Sequence, residues 1–359
     1  MSGASKKLMS AAGGEARGPQ SEVLVMASGA SPYVLAYVWD DTGGIGAKYS
    51  DPSTLPAGSG NGVSFSPTGG GIVVAHTNSP NVSAYPWNDT TGFGSKYSNP
   101  STLPPATGYG VAFTPSASVV AIAHLFTPYV TAYQWDDATG FGSKYTNPAA
   151  LPPDTALGVS FDPAGTSVAV AHLSSPYVSA YPWNDATGFG TKHSNPTTLP
   201  PNSATAVSFT RDGDAVVVTH ASSPYVSAYG WDSSTGFGTK YSNPSTLPGG
   251  QGNGVGFNQA NSAIAIAHNF GSYLSVYAWT EAFGFGSKYS GPTGIPGNAN
   301  GVAFNQFDTA IAVAHDGSPY VSAYTWSNGS GFGAKYANPS TLPSGGANTG
   351  GPSVAFKAV

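Results

Sequence analysis

Cysteine is absent from the chain. That excludes disulfide staples and thiolate chemistry, and it leaves the redox compartment open. Charge is scarce as well: Asp, Glu, Lys and Arg make up 8% of the 359 residues, about a third of the usual share in soluble domains. Ser, Thr, Asn, Gly and Tyr must then solvate the surface, which suits a protein packed against others or one indifferent to salt. The formal net charge of −5 offers no basic face, so nucleic acid is not an expected partner. No apolar run approaches a membrane span in length, and membrane insertion is not expected either. The leading stretch MSGASKKLMSAAGGEARGPQ has Lys6 and Lys7, but Leu8 and Met9 are followed by small residues and then Glu15. It lacks the apolar segment of a secretory signal peptide. No run of useful length has helical periodicity.

What the chain does have is one phrase, stated in full from Ser175 to Pro200 as SPYVSAYPWNDATGFGTKHSNPTTLP and repeated seven times with small edits. Every tryptophan belongs to it: Trp39, Trp87, Trp135, Trp183, Trp231, Trp279 and Trp326, spaced 48, 48, 48, 48, 48 and 47 residues apart. A fixed period of this size signals stacked supersecondary units. The 48 Gly and 30 Pro fall at fixed places in the repeat and mark turns rather than disorder.

Each unit reads as four short strands, a to d. In one copy these are Gly158 to Phe161, Val168 to His172, Tyr177 to Trp183 and Phe189 to His193, separated by turns at Asp162-Pro-Ala-Gly165 and Asn184-Asp-Ala-Thr-Gly188. Four strands per repeat is the pattern of a propeller blade. The first unit starts at strand b, near Val23, and the last piece, Pro352 to Phe356, is a lone strand a. The fold expected is therefore all-β: a seven-bladed β-propeller of four-stranded antiparallel blades, its ring closed by the C-terminal strand joining the first blade, so that no sheet edge is left free inside the ring. Residues 1–21 form a non-repeat N-terminal arm. Residues 22–359 form the propeller, with a first blade of 22–56 plus 351–359. Strand d carries one lysine per copy, Lys48, Lys96, Lys144, Lys192, Lys240, Lys288 and Lys335, which discourages edge-to-edge pairing. Pro86 and Pro182 sit late in strand c. Proline cannot donate to a ladder, so the end of c should be unpaired, bulged or turned outward there.

Histidines recur at one position: His76, His124, His172, His220, His268 and His315, with Ser28 in the first unit. Each lies in a different blade, so neighbouring copies should stand about a sheet spacing, ~10 Å, apart. Ligands to zinc sit within about 2 Å of the ion, and no metal site is expected. Each His should instead end strand b and hydrogen-bond the following loop. Acidic pairs in the c–d turns, such as Asp40-Asp41 and Asp136-Asp137, read as Asx turns. An enzyme built on a ring needs a place where the repeat symmetry breaks. On the face shared by the b–c and d–a loops the candidates are Tyr109, Phe126, Asp154, Phe270 and Asp316. They contain no nucleophile–base–orienter set and look more like a contact surface for sugar or protein. No catalytic residue, metal or cofactor is expected. Lys6, Lys7, Leu8 and Met9 are a candidate docking arm.

The units GVSFSPTG, GVSFDPAG and VSFTRDG, each followed by a small apolar strand and a phrase such as YVSAYPW, resemble the WD-repeat and lactonase-like β-propeller superfamily. True WD repeats differ: the Gly-His pair before strand a is missing here, and each Trp is mostly followed by Asn or Asp. The phrase SPYVSAYPW with GFGxKYSNPxTLP also resembles repeat propellers encoded by tailed bacteriophages. That likeness implies a non-enzymatic structural or adhesion component of a virus particle. It would be synthesised in the host cytoplasm and act as a rigid disc, in several copies, among other virion proteins, with host-surface glycan as a further partner. Two other readings stand beside it: a carbohydrate- or protein-binding propeller in the cytoplasm, and a lactonase- or lyase-like enzyme.

Overall fold

The computed structural model describes residues 21–348 and 353–357. Lys6, Lys7, Leu8 and Met9 fall outside the described residues, as does the expected arm apart from Ser21, which opens the first strand. Among the described residues there are 28 strands and no helix, gathered into seven four-stranded antiparallel sheets. No helix is long and apolar enough to cross a membrane. The inner strands a are Gly60–Phe65, Gly108–Phe113, Ala156–Phe161, Ala204–Phe209, Gly252–Phe257, Ala299–Phe304 and Val354–Phe356. The last of these pairs antiparallel with Ser21–Ala27, Ala355 opposite Val25, and closes the ring in blade 1.

Blade 4 shows how the repeat builds a blade. Strand b, Ser167–His172, is buried at all six positions because both faces of its sheet are covered by neighbouring blades. Small and β-branched residues fill it for that reason. Strand c, Val178–Asn184, places Val178 and Ala180 in one hydrophobic cluster with blade 5. Tyr181 and Trp183 point the other way, into a cluster with Val119, Ala121 and Ala123 of blade 3. The core thus lies between blades. Trp183 is its anchor, with T-shaped contacts to Tyr145 of blade 3 at 5.1 Å and to Phe161 and Phe189 of its own blade at 5.2 and 4.9 Å. His193 takes the tyrosine place beside Trp231, at 5.3 Å.

The irregularity at the end of strand c takes two forms. In blade 3 the c–d register slips between Tyr133 and Trp135, so that Gly142 and Ser143 of strand d stand opposite the single residue Gln134. The same slip occurs in the four other blades that lack proline there. Where Pro86 and Pro182 occupy that position, they stay paired with strand b, but strand d shrinks to Gly92–Phe93 and Gly188–Phe189. The side of c that faces d is where a missing N–H costs least. The rim lysines fold back onto their own chain: Lys96, Lys144, Lys192 and Lys240 reach the Asn three residues on, and Lys48 pairs with Asp51.

Candidate functional site

The seven inner strands surround an axial cavity of about 590 Å³. Its wall runs from the mid-strand residues Gly158, Ala206, Gly254 and Gly301 to the a–b turns, where Pro67, Pro115, Pro163, Arg211 and Gln306 form the mouth. The opposite end is narrowed by close strand contact. A Cβ at Gly158 would stand 2.9 Å from the Ala206 Cα, so only glycine fits there. Above that level side chains tie several inner strands to the neighbouring blade. Asn61 Nδ2 donates to Gly108 O at 2.7 Å, Asn253 Nδ2 to Ala299 O at 2.9 Å, and Asn300 Nδ2 to Ala347 O at 2.7 Å.

The mouth is where the repeat breaks. The second residue after the strand a phenylalanine is Pro67, Pro115 and Pro163 in blades 2 to 4, but Arg211, Gln259 and Gln306 in blades 5 to 7. Pro115 and Pro163, which have no N–H, face left-handed residues without an acceptor in the next blade's turn, Gly165 and Gly213; Ala117 holds the same left-handed turn position in blade 3. In the other half the N–H finds a carbonyl or carboxylate. Arg211 N donates to Asn261 Oδ1 at 3.1 Å, Gln259 N to Asp308 Oδ1 at 2.7 Å, and Gln306 N to Glu22 Oε1 at 3.0 Å. The mouth therefore has a bare apolar arc and a polar arc with one guanidinium.

Arg211 is the only cation lining the cavity and makes no ion pair among the described residues. Its Nη2 has one long contact, 3.5 Å to Phe257 O. Asp162 also lines the cavity, but its carboxylate is occupied by Thr166 N and Ser167 N at 2.7 and 2.8 Å. The cavity serines Ser64, Ser160 and Ser208 donate to the carbonyl one residue on, and none has a base beside it. What the cavity supplies is a guanidinium free to hold an anion or polarise a carbonyl.

The residues singled out on the other face are scattered over it. Tyr109 lies on the inner strand of blade 3, and Phe126 and Phe270 stand out from b–c loops of blades 3 and 6, 60% and 70% exposed. Asp154 accepts Ser174 Oγ at 2.6 Å and Thr155 N at 2.7 Å, and Asp316 accepts Asn298 Nδ2 at 2.8 Å. No hydrogen bond or ring contact joins one of the five to another, and none lines the axial cavity. Arg211 was in plain view in VSFTRDG. Lining up the a–b turns as well as the b–c loops would have found it.

The c–d turns hold a second feature that sequence reasoning passed over. The first acid does form the Asx turn: Asp136 Oδ1 accepts Ala138 N at 2.8 Å. The second is a latch. Asp137 Oδ1 accepts the indole N–H of Trp135 at 2.6 Å, and its Oδ2 accepts Ser66 Oγ of the preceding blade at 3.1 Å. Trp39, Trp87, Trp183 and Trp326 are held the same way, by Asp41, Asp89, Asp185 and Asn328. Blades 5 and 6 have Ser233 and Glu281 instead, and there Trp231 Nε1 and Trp279 Nε1 are buried without a partner. Glu281 gathers with Asp212 and Asp214 on the surface, where the amide of Asn261 bridges Asp212 and Glu281.

Neither protein-family models nor curated protein sequences match the chain. Solved structures do. The periplasmic gluconolactonase of Pseudomonas aeruginosa matches with a TM-score of 0.73 at 12% identity, covering 95% of this chain and 100% of its own. A proposed 6-phosphogluconolactonase from Bacteroides uniformis matches with a TM-score of 0.70 at 12% identity, covering 94% of this chain and 99% of its own. Hydrazine synthase of Kuenenia stuttgartiensis is similar over 76% of this chain, with a TM-score of 0.57 at 13% identity. At these identities the likeness establishes the ring alone: a seven-bladed propeller. The expectation of a non-enzymatic virion disc is corrected here. The architecture that motivated a purely structural role is shared, blade for blade and nearly end to end, with proteins described as lactonases.

Proposed function

We propose that the chain is a lactone-opening hydrolase whose substrate enters the axial cavity from the a–b mouth. The observation that carries this is Arg211, an unpaired guanidinium lining a cavity of about 590 Å³, in a ring whose structural neighbours include lactonases. A lactone is a reactive ester, so the demand on the protein is modest. Water adds to the carbonyl carbon, the ring C–O bond breaks, and the leaving alkoxide takes a proton from the attacking water. The guanidinium would donate to the carbonyl oxygen as it becomes an oxyanion and then hold the carboxylate product. The apolar arc of Pro67, Pro115 and Pro163 gives the ring carbons a surface to rest on.

The test is hydrolysis of a panel of γ- and δ-lactones of sugars, measured as acid release above the spontaneous rate. Arg211→Gln should lower kcat/KM roughly 100-fold, the effect of losing one oxyanion donor, with thermal stability unchanged. A wild-type rate equal to the buffer blank across the panel sinks the hydrolase reading. Full activity in Arg211→Gln moves the site away from this mouth.

A further inference from the structure

Six blades end strand b in a buried imidazole: His76, His124, His172, His220, His268 and His315 are each 0% exposed. Every Nε2 lies 2.8 to 3.1 Å from a hydroxyl seven residues on, that of Ser83, Thr131, Ser179, Ser227, Ser275 or Ser322. In His172, His220 and His315, Nδ1 is 2.8, 2.8 and 2.7 Å from the carbonyl oxygen two residues on, in the b–c loop. A carbonyl only accepts, so Nδ1 carries the proton and Nε2 accepts from the hydroxyl. In these three blades the neutral ring fastens strand c with one nitrogen and the b–c loop with the other. In blades 2, 3 and 6 Nδ1 is buried without a partner among the described residues, and the ring is tied to strand c alone. Blade 1 is built differently. Ser28 replaces the histidine, Leu35 replaces the hydroxyl residue, and Ser28 Oγ donates to Gly345 O at 3.1 Å.

We infer that this histidine set is an acid release for one face of the disc: proton uptake frees the b–c loops of blades 2 to 7 and leaves that of blade 1 shut. The charged groups around the rings mostly oppose a second positive charge. The rim lysine of the same blade faces each histidine: Lys96, Lys144, Lys192, Lys240, Lys288 or Lys335. Only His172, with Asp154, and His315, with Asp316, have a carboxylate in reach. Burial pulls all six from 6.5 down to about 4. An opened loop hydrates its imidazole and restores ordinary basicity. The open form therefore takes the proton first as pH falls below about 6.5, and the gain levels off near the folded-state value.

Hydrogen exchange of the full chain tests this, with rates corrected for the intrinsic pH dependence of amide exchange. Tyr177 N is bonded to Ser174 O at 2.8 Å and Tyr33 N to Ala30 O at 2.9 Å, so equivalent amides report on blades 4 and 1. Protection at Tyr177, and at Tyr129, Tyr225 and Tyr320, should fall about fivefold between about pH 6.5 and 5.5. Protection at Tyr33 should stay constant. His172→Gln should flatten the dependence at Tyr177 alone. Equal response in blade 1, no response in blades 2 to 7, or an unchanged slope at Tyr177 in His172→Gln each overturns the inference. Should that variant fail to fold, the wild-type comparison of Tyr177 with Tyr33 decides by itself.

Discussion

The two faces of the disc are held together in different ways. The face of the b–c loops is nearly uniform: six blades repeat the same buried histidine–hydroxyl pair, and side-chain amides lace the inner strands above a closed axis. The face of the a–b turns varies from blade to blade. Its latches are Asp, Asn, Ser or Glu, and its mouth is proline on one side and Arg or Gln on the other. Uniform contacts are buried and shielded by the repeat itself, so each copy meets the same surroundings. Varied contacts sit at exposed turns, where a change in one blade needs only its neighbour to follow. Pro115 with Gly165 and Gln259 with Asp308 are two settled outcomes of that local accommodation. Symmetry is kept where the fold is made and lost where a ligand can be met.

Acid should separate the faces most widely. Each buried imidazole loses on the order of 3 kcal/mol between pH 6.5 and about 4. Six of them together exceed the roughly 5–15 kcal/mol that holds a typical domain. Stability should be level above about pH 6.5 and fall as pH drops, with cooperative unfolding before pH 4. Urea midpoints followed by near-UV circular dichroism between these limits would show it, and a flat profile down to pH 4 would refute it. The exposed carboxylates of the other face lose stability in the same direction, as pH falls, but over a lower pH range. Bonds from the Ser234 hydroxyl and the N–H groups of Thr235 and Ser234 pull Asp232 down to about 2. Its contribution is intact above about 3.8 and fades only as pH falls toward 2.

The indoles belong to both faces' common core, and removing one should not depend on which latch it has. Trp183→Ala should cost ~3–5 kcal/mol in urea denaturation, since the ring is 4% exposed and meets three aromatic partners. A loss below about 1 kcal/mol would mean that the ring is not the packing anchor between blades 3 and 4.

How much of this was legible beforehand follows the same division. Strand order, blade number and closure through Val354–Phe356 could be read off the repeat, because each is fixed by short-range periodicity. The break in c–d pairing at Pro86 and Pro182 could be read too, since proline states what it cannot do. So could the histidines' tie to the loop, which His172, His220 and His315 make and His76, His124 and His268 do not. The latch could not: it joins Asp137 to a serine 71 residues earlier, and a contact between blades leaves no trace within one repeat. Arg211 was missed for another reason. The search for broken symmetry went to the b–c and d–a loops, and the arginine stands on the opposite face. The functional class was misjudged because a low-charge surface says how a protein meets solvent, not whether its axis holds a substrate.

The pairing of turn donor and turn acceptor can be broken and repaired. Asp308→Ala removes the acceptor of Gln259 N at 2.7 Å and Ala260 N at 2.8 Å, and should cost ~1–2 kcal/mol. Alanine itself is tolerated at that turn position, as Ala117 shows at φ 56°. The loss is therefore due to stranded donors, which also include the side-chain amides of Asn258 and Asn328. Adding Gln259→Pro removes one of them and copies the arrangement of blades 2 to 4. The double variant should recover part of the loss in a double-mutant cycle. A double variant worse than Asp308→Ala would show that the proline arc and the hydrogen-bonded arc are not interchangeable solutions.

The smallest effect is the most specific. In blade 5 Trp231 Nε1 is buried and unpartnered because Ser233 is too short to act as the latch. Of the five latches, Asp185 meets Ser116 and Ser118. The other four meet the residue after the preceding blade's strand a phenylalanine, as Asp137 meets Ser66. For Ser233 that residue is Asp162. An aspartate at 233 would satisfy the indole but bring two carboxylates together, which accounts for the exception in this blade. Asparagine meets both demands: its Oδ1 accepts the indole N–H, as Asn328 does for Trp326 at 2.7 Å, and its Nδ2 can donate to Asp162. Ser233→Asn should therefore stabilise the ring by about 1 kcal/mol, while Ser233→Asp should bring no gain. Paired urea denaturation curves would decide. Equal gains from Asn and Asp would mean that Asp162 does not oppose this latch, and the blade-to-blade accommodation seen on this face would need another cause.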